Sequence, residues 1–96
     1  MGWSSAVSDD EAVAKLAAGA TLTFMAWDVF PSQSGGMERV ECVIRASGGS
    51  YSAACEVLPA EFGQRAERWT ERWSERDLRA KLAAVRASDG PDWRWG

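Results

Sequence analysis

The chain contains no histidine, only two lysines and only two cysteines. Without an imidazole there is no Ser-His-Asp triad, no Cys-His dyad, no histidine-ligated metal and no haem-histidine site. Two cysteines cannot complete an all-cysteine zinc centre. No run approaches the ~20 apolar residues of a membrane-spanning helix. Met1 to Ala6 offers neither a basic region nor an apolar core of the kind a secretory signal needs, and Ala6 stands where N-myristoylation wants Ser or Thr. The glycine pairs at 35–36 and 48–49 suit turns and match neither a dinucleotide fingerprint nor a Walker A loop. These absences point to a cytoplasmic protein with no cofactor, no metal, no membrane attachment and no catalytic machinery.

What is present is a 96-residue chain, 46% hydrophobic and 26% charged, with a formal net charge of −3. That is the size and balance of one small folded domain. Six tryptophans is a heavy load for this length. A small core has room for some indoles, and exposed ones are enriched at binding surfaces. The charge is uneven, acidic up to residue 59 and arginine-rich over residues 60–87.

Ser8-Asp9-Asp10-Glu11 reads as a capping box, with Val7 and Ala12 as its hydrophobic staple. Val13, Leu16 and Ala17 make an apolar stripe and Gly19 a stop, which predicts a helix over 9–18. Residues 20–30 (ATLTFMAWDVF) are β-prone and apolar on both faces from Phe24 onward, as in an interior strand. Pro31 ends that run, and residues 31–36 (PSQSGG) form a polar loop.

Residues 38–46 and 50–58 each alternate with period two, and Gly48-Gly49 between them suits a tight hairpin turn. Pairing Ser47 with Ser50 places Ala46 opposite Tyr51, Ile44 opposite Ala53, Cys42 opposite Cys55 and Val40 opposite Val57, apolar against apolar throughout. Cys42 and Cys55 then meet at a non-hydrogen-bonded pair, with Cα atoms roughly 4.5 Å apart. In a reducing cytosol they are expected as two buried thiols; the sharper alternative is an easily reduced cross-strand disulfide. Glu41 and Glu56 oppose each other on the second face, where Arg39 and Arg45 offer relief from the like-charge pairing.

Pro59 to Ala87 reads as helix, but its phase is split. Phe62, Ala66, Trp69 and Trp73 share one face, while Leu78, Leu82 and Val85 lie about 140° away at the 3.6-residue period. Either the helix breaks at the capping box Ser74-Glu75-Arg76-Asp77, which is the favoured reading, or it continues and presents one stripe to a partner. Arg68, Arg72 and Arg76 would form one i,i+4 column and Glu67, Glu71 and Glu75 another. In the tail, Gly90-Pro91 stops the helix, and Trp93 and Trp95 either fold back over the core, as favoured, or anchor a partner.

These elements predict an α+β domain spanning residues 1–96, with 1–7 and 88–96 as terminal extensions. It has an N-terminal helix, a three-stranded antiparallel meander and a C-terminal helix, the helices lying on one face of the sheet. The element order is similar to that of the double-stranded-RNA-binding domain. That family's lysine cluster and histidine loop have no counterpart at Pro59 to Gly63 or Pro31 to Gly36, so no residue carries over.

The function expected is that of a non-enzymatic protein-binding module, a small acidic accessory or inhibitor protein. In size and acidity it is similar to phage and mobile-element inhibitors of host defence of the anti-CRISPR or anti-restriction type. Acidic positions 9–11, 28, 38, 41 and 56 would meet a basic target. The partner-binding residues expected are Trp69, Trp73, Arg68, Arg72 and Arg76, then Trp93 and Trp95. A homodimer through the same stripe is an alternative partner. Less favoured is a nucleic-acid binder using Arg65, Arg68, Arg72, Arg76 and Arg79, with Trp69 or Trp73 stacking on bases.

Overall fold

The computed structural model describes residues 7–27, 39–58, 68–88 and 91–96. Helix α1 spans Asp9–Ala17 and is capped as its sequence predicts, the Ser8 side chain accepting from the Glu11 N–H at 3.1 Å. Gly19 follows with φ 100°, the left-handed conformation that a glycine adopts without a Cβ clash. Strand β1 (Leu22–Trp27) leads to β2 (Arg39–Ser47) and β3 (Ser50–Leu58), which form the hairpin. Its register is the expected one, with Ser47 opposite Ser50, Cys42 opposite Cys55 and Glu41 opposite Glu56. Gly48 and Gly49 turn at φ 54° and 86°, the two positive values a type I′ turn demands. The loop expected at 31–36 lies outside the described residues.

The sheet has five strands, not three. Strand β4 (Arg68–Trp73) pairs with β3, and β5 (Asp92–Trp95) pairs with β1, giving the all-antiparallel order β4-β3-β2-β1-β5. The meander is its centre and the two additions are its edges. Helix α2 (Glu75–Ala87) lies between them in sequence.

Strand β4 corrects the helical reading of residues 68–73. Trp69, Glu71 and Trp73 alternate with Arg68, Thr70 and Arg72, a period-two pattern whose aromatic and Thr residues favour strand. The free edge of β3 supplies the backbone partners that make strand the better state. The break at Ser74 is present. The Ser74 hydroxyl accepts from the Asp77 N–H and the Asp77 carboxylate accepts from the Ser74 N–H, both at 3.1 Å. The split apolar phase therefore marks a strand-to-helix change. The arginine column dissolves with it, since Arg68 and Arg72 belong to β4 and Arg76 to α2. Residues 59–67, including Phe62, Arg65, Ala66 and Glu67, lie outside the described part of the chain.

One face of the sheet forms the core. Leu22, Phe24 and Ala26 of β1, Val40, Cys42 and Ile44 of β2, Tyr51, Ala53 and Cys55 of β3, Trp73 of β4 and Trp93 of β5 are buried together. Ala12 and Leu16 of α1 join the same cluster, as do Leu78, Leu82 and Val85 of α2. Both helices therefore cover this one face. The helices are tied to each other by charge. Arg86 reaches Asp9 at 2.7 Å and the Val7 carbonyl at 2.9 Å. Arg79 bridges Glu75 at 3.1 Å, Asp10 at 3.3 Å and Asp9 at 3.9 Å. The hydrogen bond to Glu75 is the main cause that raises the Arg79 pKa above its usual value, opposed in part by burial.

The two cysteines correct the expectation of free thiols. Cys42 and Cys55 are joined as a disulfide across the centre of the hairpin, and no described cysteine is free. Neither described helix is long and apolar enough to cross a membrane.

Candidate functional site

The strands alternate, so every side chain that does not enter the core lies on the opposite face of the sheet, and its rows follow from the register. Across β4, β3 and β2 the first row is Arg68, Glu56, Glu41. The second is Thr70, Ala54, Val43, and the third is Arg72, Ser52, Arg45. The face thus has an acidic row, a small neutral row and a basic row.

The first two rows shape a shallow concavity of about 500 Å³. Val43, Ala54 and Thr70 line it together with Glu41, Glu56 and Arg68, and Cys55 and Trp69 border it as well. Arg68 donates to Glu56 at 3.1 Å. Glu41 makes no ion pair among the described residues, although it directly opposes Glu56. Like charges so placed repel, and one arginine attached to one of them relieves the pair only in part. Arg45 and Arg72 are exposed and without an ion pair among the described residues, on either side of Ser52. At about 3.3 Å per residue, Glu41 and Arg45 stand roughly 13 Å apart along β2.

The residues singled out from the sequence do not form one surface. Trp69 and Trp73 lie on β4 and Trp93 and Trp95 on β5, at opposite edges of the sheet. Trp73 and Trp93 are core side chains, 3% and 1% exposed. That removes them from any docking surface and fits the expectation that the tail folds back. Trp69 and Trp95 are half-buried against the core. Arg68 and Arg72 reach the open face of the sheet, whereas Arg76 is exposed on α2. The acidic group at 9–11 is engaged within the chain, Asp9 and Asp10 by Arg79 and Arg86, and Glu11 by Lys15 at 3.3 Å. Asp28 and Glu38 lie outside the described residues. Of the acidic surface, Glu41 and Glu56 remain. The face shared by Glu41, Val43 and Arg45 follows from the alternation of β2; the addition of Arg68, Thr70 and Arg72 to its rows was missed, because it depends on where β4 pairs.

No cluster of three or more metal-ligating side chains occurs among the described residues. The chain matches no protein-family model, no curated protein and no solved structure.

Proposed function

We propose that the chain is a non-enzymatic protein-binding module that docks a partner on the open face of β2, β3 and β4. The observation that supports this is the row arrangement. A shallow concavity lies between the under-neutralised carboxylates Glu41 and Glu56 and the guanidinium groups of Arg45 and Arg72. The partner is a segment that sets a lysine or arginine over the glutamates and a carboxylate about 13 Å away over the arginines. Charges in register of this kind select a partner and its orientation more than they add affinity.

The test is capture from native lysate on immobilised wild type, Glu41→Lys and Arg45→Glu, each first checked for folding by circular dichroism. A specific protein held by wild type and lost from both variants supports the reading. A protein held equally by all three removes this face from it.

A second reading is nucleic-acid binding, and the row Arg72, Ser52, Arg45 favours it. Two guanidiniums about two strand spacings apart can bridge phosphates. The carboxylates on the same face oppose a polyanion, so the protein reading stands first. Nucleic-acid binding predicts an affinity for a fluorescent oligonucleotide that falls steeply with salt and is lost in Arg45→Glu.

A further inference from the structure

The Cys42–Cys55 bond belongs to the core side of the sheet; Cys55 also borders the concavity just described, but the redox chemistry of the bond does not depend on the docking reading. The bond joins two strands that are already fully paired. The β2–β3 ladder runs from Arg39 opposite Leu58 to Ser47 opposite Ser50, closed by the glycine turn. Each strand is also held from its other side, β2 by β1 and β3 by β4. The hairpin therefore does not depend on the bond for its register. In the reduced state two thiols, small and apolar, suit the same buried positions.

The ladder also decides how near the two backbones stand. The Cα atoms are 4.1 Å apart, near the ~4.5 Å of a non-hydrogen-bonded antiparallel pair. Most disulfides prefer about 5.5–6 Å, and bonds held away from that spacing are the more reducible ones.

The two sulfurs are not equally placed. Cys42 is 0% exposed and lies on the central strand. Cys55 is 3% exposed and lies one strand from the sheet edge, with Trp69 of β4 opposite it. Parting β4 from β3 uncovers Cys55 first.

We propose that Cys42–Cys55 is a reversible redox couple, opened by attack of a small thiol on Cys55 while the sheet stays folded in both states. A thiolate of the glutathione class forms a bond to Cys55 Sγ as the Cys55–Cys42 bond breaks. The electron pair leaves on Cys42, which takes up a proton. A second thiolate then attacks the external sulfur of the mixed disulfide, and Cys55 departs and is protonated in turn. In sum, one protein disulfide is reduced to two thiols and two external thiols are oxidised to one disulfide.

The experiment equilibrates the full chain in buffers of reduced and oxidised glutathione, alkylates the thiols and counts them by intact mass. Circular dichroism and tryptophan emission are followed in parallel. The expected result is a titration between zero and two alkylated cysteines with the β signal retained. Emission should rise on reduction, because a disulfide quenches a neighbouring indole such as Trp69. With oxidised glutathione, Cys42→Ala should acquire the mixed disulfide several-fold faster than Cys55→Ala. Thiols that pair at no glutathione ratio overturn the proposal, as does a bond that opens only in denaturant. Equal adduct rates in the two variants overturn the assignment of attack to Cys55.

Discussion

The two edges of the sheet solve the same problem differently. Each edge strand turns two tryptophans toward the core; β4 carries two arginines beside them and β5 one. In β4 the tryptophans are four residues apart, with Glu71 between them on the same face. Its carboxylate accepts from Trp69 Nε1 at 2.7 Å and from Trp73 Nε1 at 3.0 Å. Glu71 lies opposite Ala53, the small residue that leaves it room. In β5 the tryptophans are two residues apart with no side chain between them on that face. The Trp93 ring tilts against Phe24, with centroids 6.0 Å apart. Lys15 sits over Trp95 at 5.0 Å. The indole N–H groups of Trp93 and Trp95 are buried without an acceptor among the described residues. An indole can thus be retained by area alone, at the cost of an unmet donor, or by area plus a built-in acceptor.

The comparison breaks most sharply at Trp93. Trp93→Ala empties a fully buried indole site and should cost about 3–5 kcal/mol. That is a large part of the ~5–15 kcal/mol by which small domains are stable, and urea unfolding would register it as a lower midpoint. An unchanged midpoint would mean that β5 is dispensable.

Glu71→Ala tests the other edge without removing an aromatic. It leaves two indole donors without their carboxylate, a loss of about 1–3 kcal/mol. Glu71→Gln, which keeps an acceptor oxygen, should recover part of it in the same unfolding assay. A neutral Glu71→Ala would erase the distinction between the edges.

The sharpest comparison is the pair Trp73→Phe and Trp93→Phe. Both lose ring volume, but only the first gives up a hydrogen bond, so it should be the more destabilising by about 1 kcal/mol. The smallest effect belongs to the surface. Lys15→Ala removes an exposed cation from the face of Trp95 and should change stability by about 0.5 kcal/mol. Thermal unfolding resolves that only by averaging repeated scans.

Much of the fold was legible because it is local. The Ser8 and Ser74 capping boxes name their own partners three residues away, and Gly48-Gly49 sets a hairpin register that the alternation of β2 and β3 independently requires. The edge strands were less legible for opposite reasons. Residues 68–73 carry the Glu and Arg content of a helix, and their alternation competes with that bias until β3 offers a partner. Residues 92–95 are too short to announce a strand by themselves. Of the candidate site, the opposition of Glu41 and Glu56 could be read from the hairpin. The third member of each row could not, since it waits on the register of β4. The oxidation state of Cys42 and Cys55 was equally beyond reach, because opposed cysteines pack well as thiols or as a bond.

Sequence alone determined the helix caps, the turn, the hairpin register and the face of each hairpin strand, because each of these is decided by residues within a few positions of one another. Tertiary structure decided that a charged, tryptophan-bearing segment becomes an edge strand, that the tail completes the other edge, and that Arg68 and Arg72 join the face of the two opposed glutamates. An edge strand satisfies its backbone groups only on a neighbour distant in sequence, and which side chains gather in a row follows from that pairing.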